Sequence, residues 1–341
     1  MMQRRTRTMK KLRLTSRLFA IAGAALLVFA SQFGNSLAQD TAPEETFATP
    51  LVATTTSAAM QTDAATNQAT TDGTFAEQMA VLVNQFRQQN NLPPLKIEPA
   101  LTAAAQAYAG RLGSGNFFGH LDPDFNCNKP SERVVAAGYA NWAAVGENIA
   151  AGYPSPQAAF DGWVNSAGHR ANMLNAAYRD IGVGFFLDEN DAANVRQNGN
   201  CPYTANNGGP YRFYWTQEFG ARWRNGAPVL PIIINGEAVS TAQRQITLYI
   251  YGGFEGQPVW AKQMRFSENN TNWTPYEAWS ATKTYTLSAG SGTKTLYVQL
   301  TNGATTQTSS DTITLADGST VQPQPVPASL PARAFVPIVV R

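Results

Sequence analysis

The chain contains two histidines, His120 and His169, and each follows a glycine. A third glycine-led polar residue, Glu147, lies between them in Gly146-Glu147-Asn148-Ile149. Glycine lets the backbone come close to a shared centre. Two imidazoles and a carboxylate have two chemical uses. With water in an open position they bind a divalent transition metal such as zinc. Without a metal they run general acid–base chemistry, because imidazole titrates near neutral pH. The intervals of 27 and 22 residues match no local metal motif such as His-Glu-x-x-His. On spacing alone, a structural role fits as well, with each His hydrogen-bonded in the core and Glu147 a helix or loop cap.

Neighbouring residues carry further options. Ser166 precedes His169 by three positions. A Ser–His pair with an orienting Glu is the logic of acyl transfer, but no Gly-x-Ser-x-Gly elbow is present. A helix-terminal Ser is the simpler role. Asp122 and Asp124 flank Pro123, as turn formers or as extra cation ligands. Cys127 and Cys201 are the only cysteines, and an even pair predicts a disulfide in an oxidising compartment. It would close a 74-residue loop near the histidines, worth roughly 4 kcal/mol in a chain-entropy account.

The elements that must position these residues can be read along the chain. Thr74-Phe75-Ala76-Glu77 is a capping box, followed by Met79, Leu82, Val83 and Phe86 at helical spacing. Pro99 opens a second helix with Leu101, Ala104, Ala105 and Tyr108 on one face and Gly113 as its C-cap. A short helix spans 131–137, and Ser155-Pro156 starts another that carries Trp163. Strand-like runs follow at 181–187 and 211–219, with 188–210 as a long polar loop between them. Residues 75–225 therefore form a mixed α/β domain. From Pro228 the period changes to short alternating runs at 245–251, 260–266, 282–287, 295–300 and 311–315, separated by Gly and Asn turns. Residues 229–316 read as a small all-β sandwich.

The ends of the chain differ in composition. Residues 1–38 combine seven basic residues and no acidic one with an apolar run from Leu18 to Ala30 and Ser36-Leu37-Ala38. That is the pattern of a signal peptide cut after Ala38. The apolar run is shorter than the ~20 residues a membrane span needs. Residues 39–74, rich in Thr and Ala, read as a disordered linker, and 317–341 as a Pro-rich tail. The chain has 25 basic and 23 acidic residues; without the first 38, acidic residues exceed basic ones by five. That balance gives no electrostatic case for nucleic acid as a partner. No transmembrane segment is expected in the mature chain, which is read as secreted or at the cell surface.

Several motifs occur in one order: Phe118-Gly119-His120, Gly146-Glu147-Asn148-Ile149, Trp163-Val164-Asn165-Ser166, Gly168-His169-Arg170 with Asn172-Met173-Leu174-Asn175, Tyr178 to Gly184, and Thr216-Gln217-Glu218-Phe219-Gly220. The set resembles the CAP superfamily of cysteine-rich secretory proteins, antigen 5 and pathogenesis-related 1 proteins, in its bacterial branch. The resemblance implies an α+β fold, an α/β/α sandwich with a central cavity. There two His and two acidic residues line the cavity, and some members bind zinc. His120, Glu147 and His169 match three of these positions and are the metal candidates. The fourth, an acid, is Ser166 here, which implies weaker metal affinity. Glu218 could replace it by type. Strand alternation, however, pairs Gln217 with Phe219. With Phe219 buried, Gln217 points inward as a cavity group and Glu218 outward. Asn148 and Asn172 are read as loop-holding. Residues 264–299, with Trp273, Trp279 and Tyr285, resemble a bacterial immunoglobulin-like module; Trp260, Trp273, Tyr276 and Trp279 are either core aromatics or a platform for sugars.

The expected function is a secreted ligand-binding or interaction module, with a His/Glu cavity that holds a divalent metal or a small apolar ligand, or that meets a cell-wall component. A hydrolase activating water through His120, Glu147 and His169 is the alternative, and a structural surface scaffold the third.

Overall fold

The computed structural model describes residues 73–197, 200–224, 227–253 and 258–316. The signal peptide at 1–38, nearly all of the 39–74 linker and the 317–341 tail lie outside the described residues.

Helix α1 (Phe75–Gln89) begins at the expected capping box: Thr74 N–H donates to Glu77 Oε2 at 2.6 Å and Glu77 N–H to Thr74 Oγ1 at 3.3 Å. Helix α2 (Pro99–Ser114) starts on Glu98, whose Oε2 accepts from the Ala100 and Leu101 amides. Gly113 is a helix residue and the C-cap is Gly115. The small residue at 113 instead makes room for Phe186, whose ring lies 2.8 Å from where a Cβ would stand. Helix α3 spans Pro130–Ala136, α4 Pro156–Asn165 with the Ser155 cap, and α5 Ala167–Met173.

A sheet in the order β1 (Lys96–Ile97), β4 (Asp180–Leu187), β7 (Phe213–Arg224), β3 (Trp142–Ala151) separates these helices, and β8 (Ala227–Pro228) pairs antiparallel with the end of β7. Helices α1, α4 and α5 pack on one face around Trp163, Trp215 and Phe219. Helices α2 and α3 cover the other around Tyr108, Ile149, Tyr139 and Tyr214. The result is an α/β/α sandwich. Helix α2 meets β4 almost backbone to backbone: a Cβ at Gly182 or Gly184 would stand about 2 Å from main-chain atoms of α2. Strand β3 was not anticipated from the sequence, and it carries Glu147. The 188–210 segment is not a plain loop. It holds β5 (Val195–Gln197) and β6 (Ala205–Gly208), which form a small sheet with β2 (Phe117–Phe118).

The C-terminal part forms two sheets, β10–β16–β15–β12–β13 and β14–β11–β9. Their strands are β9 (Ile232–Ile234), β10 (Ser240–Thr241), β11 (Gln245–Ile250), β12 (Gln263–Ser267), β13 (Glu277–Ala278), β14 (Thr282–Thr286), β15 (Gly292–Thr301) and β16 (Thr306–Leu315). One core, with Ile246, Leu248 and Ile250 from one sheet and Phe266, Val298 and Ile313 from the other, makes this a β-sandwich. Trp260 and Trp279 pack against that core, and the Arg265 guanidinium lies over both Trp273 and Tyr276. Of the four aromatics, Tyr276 is exposed and the three tryptophans are partly buried.

The two parts are joined by buried polar groups. Lys96 on β1 pairs with Glu237 at 2.9 Å and also with Asp311 of β16. Asn84 Nδ2 donates to the Gly236 carbonyl at 3.1 Å, and Tyr251 Oη donates to the Pro94 carbonyl at 2.8 Å. Burial and the Asp311 charge push the Glu237 carboxyl up to about 8, with Lys96 pulling the other way. At pH 7 Glu237 is thus mostly neutral, so Lys96→Met is expected to leave the Asp311 carboxylate buried without its cation and to cost about 3 kcal/mol, measured by urea unfolding at pH 7. Adding Glu237→Gln and Asp311→Asn is expected to restore most of that loss.

Candidate functional site

Strands β3 and β7 pair so that Glu147 stands directly opposite Glu218, and Asn148 opposite Gln217. Opposed residues share a face, so the two carboxyls lie under α2 and α3, and the two amides lie under α1, α4 and α5. All four side chains are buried. Glu218 is therefore not outward. The alternation that pairs Gln217 with Phe219 holds, but helices cover both faces of β7 and neither face meets solvent. Gln217 is inward as expected, yet it is on the far side of the sheet from Glu147.

Glu147 has both carboxylate oxygens engaged. His120 Nδ1–H donates to Oε1 at 2.6 Å, and Arg133 Nη2 donates to Oε2 at 2.5 Å. Arg133 reaches in from α3. Its guanidinium lies over the Tyr108 ring at 3.4 Å and also donates to the His120 and Asn128 carbonyls. Burial alone would raise the Glu147 carboxyl, but Arg133 and His120 hold it below its ordinary value. Glu218, 4.0 Å from Arg133, goes the other way: burial first, and then the Glu147 charge, raise it well above the carboxylate range. That shift favours the neutral, protonated carboxyl at Glu218. Neither Glu218 oxygen has a hydrogen-bond partner among the described residues.

Across the edge strand, His169 on α5 is fully buried, and its Nδ1 meets Ser166 Oγ at 2.9 Å. Burial, then the nearby His120, lower its imidazole to about 4, so it is neutral at physiological pH. Its carbonyl accepts from Asn148 Nδ2 at 3.2 Å. Asn148 also donates to Gln217 Oε1, and Asn172 Nδ2 donates to the Glu147 carbonyl and to Asn148 Oδ1. This amide network holds α5 against β3, so Asn148 and Asn172 fix a helix to a strand rather than holding loops.

The geometry distributes the chemistry unevenly. Ser166 bonds His169, whereas the orienting carboxylate bonds His120, so Ser166, His169 and Glu147 do not form one relay. Asp122 pairs bidentately with Arg111, Asp124 joins Arg111 to Arg196, and Asp122 Oδ1 accepts the Asp124 amide as in a turn. These aspartates serve the loop. Cys127 and Cys201 are joined, their Cα atoms 5.9 Å apart. Tyr203, two residues on, accepts the Leu121 amide with its hydroxyl at 2.9 Å and so braces the His120 segment. The expected three-residue metal set is not assembled. Among the described residues no group of three or more His, Cys, Asp or Glu side chains is arranged to hold a metal ion. The reason is Arg133, which sequence reasoning missed: its cation occupies the Glu147 oxygen a metal would need. The signal was available, because an ionised carboxylate inside a covered sheet requires a cation.

Residues 81–219 match the model of the family described as CAP, the cysteine-rich secretory protein family. This segment is a CAP domain. The uncharacterized protein YkwD of Bacillus subtilis is 32% identical over 127 residues, 37% of this chain and 48% of that protein. The uncharacterized membrane protein YlbC of the same organism is 31% identical over 111 residues, 33% of this chain and 31% of that protein. The chain thus spans about half the length of one curated relative and about a third of the other. A solved structure of an extracellular protein containing a SCP domain from Bacillus anthracis shows 26% identity and a TM-score of 0.34, covering 44% of this chain and 40% of that one. An outer surface protein of Borrelia burgdorferi shows 20% identity and a TM-score of 0.33, covering 43% of this chain and 92% of that one.

Two measurements test the electrostatics of the CAP domain. Glu218→Gln is expected to leave the melting temperature at pH 7 unchanged or raised, because it replaces a carboxyl that is already neutral. Glu147→Gln, which strands Arg133, is expected to cost about 3 kcal/mol or more. For His169 the folded imidazole lies below the unfolded value, so the unfolded state binds more protons between the two. Its contribution to stability is full above about pH 6.5 and is lost as pH falls toward about 4. With a chelator present, the stability of wild type minus His169→Gln is expected to fall over that window by up to about 3 kcal/mol.

Proposed function

We propose that the chain is an exported binding protein whose CAP domain takes a divalent cation of zinc type between His120 and His169. The observation that carries this reading is a pair of buried imidazole Nε2 atoms, one on each His, without a partner among the described residues. Both Nδ1 atoms are already held, by Glu147 and by Ser166. A metal-binding His is commonly oriented through its second nitrogen by a carboxylate or another acceptor. In this reading His120 and His169 would be the ligands, and Glu147 and Ser166 position them. A bound cation would supply a Lewis acid and an activated water. The CAP domain donates only two nitrogens, so affinity is modest.

Export is supported by the basic, apolar and small-residue pattern of the first 38 residues and by the disulfide, which suits an oxidising compartment. No described helix is long and apolar enough to cross a membrane. The C-terminal sandwich, read as immunoglobulin-like, serves as a spacer. A hydrolase is the second reading, favoured by one observation: the His120–Glu147 pair is the arrangement of a general base with its orienting carboxylate.

The test is calorimetric titration of the full chain with zinc at pH 7.5 and 5.5, beside His120→Ala and His169→Ala. Binding near one equivalent is expected, lost in both variants and weaker at the lower pH as imidazole protonates. No binding by wild type overturns the cation reading. Turnover of ester or amide substrates, abolished in His120→Ala with folding intact, would replace it with the hydrolase.

A further inference from the structure

Between α1 and the three-stranded sheet of the sandwich runs a cleft of about 800 Å³, a size usual for sites that enclose small molecules. One wall is α1, with Val81, Gln85 and Gln88 at helical spacing, continued by Asn91 to Pro94. The floor is the sheet. In the β11–β14 ladder Thr247 stands opposite Thr284 and Tyr249 opposite Thr282, so these four side chains share one face.

The chemistry of this lining is narrow. Gln85, Gln88, Asn91, Thr282 and Thr284 are exposed and use their side chains in no hydrogen bond among the described residues. Among the described residues no carboxylate lines the cleft, and the one cation there, Lys283, pairs with Glu277 at 2.8 Å. Amides and hydroxyls offer donors and acceptors in equal measure, while Tyr249, Pro93 and Pro94 offer flat apolar faces. The cleft is also built before any ligand arrives. Asn84 ties the wall to the floor through Gly236, and Tyr251 holds the Pro94 carbonyl. Such preorganisation lowers the entropic cost of binding.

We infer that this cleft binds a neutral glycan segment of a few sugar units. An ionic ligand would find no free counter-charge. An apolar ligand would strip water from the amides and hydroxyls without replacing its hydrogen bonds. A peptide added as a strand would use the edge of β14 rather than the face of the sheet. A sugar ring satisfies both halves of the lining, with hydroxyls toward the amides and its C–H face toward the aromatic and proline rings.

The experiment uses the full chain and a panel of neutral and acidic oligosaccharides of two to four sugar units, with hits titrated by calorimetry. Saturable binding of neutral members is expected, insensitive to added salt. It should weaken tenfold or more in Gln85→Ala/Gln88→Ala and vanish in Thr284→Trp, which fills the floor from an exposed strand position. Near-UV circular dichroism checks that both variants fold. His120→Ala should bind the glycan as wild type does, which separates this site from the imidazole pocket. Three results each overturn the inference: no neutral glycan bound, binding confined to acidic glycans and lost in salt, or wild-type affinity in Thr284→Trp.

Discussion

Glu147 and Glu218 face each other across adjacent strands inside a sheet that helices cover on both sides. Two ionised carboxylates cannot share that space, and much of the CAP domain follows from the way the conflict is resolved. One carboxyl keeps its charge and the other keeps a proton. The charged one requires a cation, which Arg133 supplies from α3, and the same guanidinium then pins the carbonyls of His120 and Asn128. His120 is thus located twice, by its ring through Glu147 and by its backbone through Arg133. The Tyr108 ring beneath the guanidinium fixes α2 relative to α3. A single buried charge organises two helices, a strand and the segment that carries an imidazole.

Much of the fold was legible where local chemistry is decisive. Capping residues announced α1 and α4, and the change to period-two alternation after Pro228 marked the sandwich. Strand β3 was not legible. It lies at the sheet's edge with its central residues buried on both faces, so its polar Glu147 and Asn148 break any alternation, and their partners are side chains distant in sequence. The same cause hid Glu218. Alternation tells which residues share a face, but a face turned from one core meets solvent only if nothing else covers it. The strands within 188–210 escaped because each is short: β6 pairs only with β5, and β5 is anchored on a two-residue strand some 80 positions earlier.

The site was legible in its residues more than in its relations. His120, Glu147 and His169 are all buried around one strand edge. What the spacing could not show is which acid serves which histidine. Glu147 belongs to His120, Ser166 belongs to His169, and Gln217 belongs to the amide network on the other face. These assignments depend on the register of β3 against β7, which is a tertiary property.

The joint between the CAP domain and the sandwich has a consequence for how such a chain can change over generations. Lys96, Glu237 and Asp311 come from widely separated stretches of sequence but form one buried charge cluster. A lineage that replaced Lys96 would carry two stranded acids until the other positions followed, and the reverse order is no safer. The three sites should therefore drift together or not at all. Recombination that brought this sandwich to a foreign CAP domain would deliver two acids without their cation. Although the halves differ in architecture, this cluster makes each one depend on the other's charges.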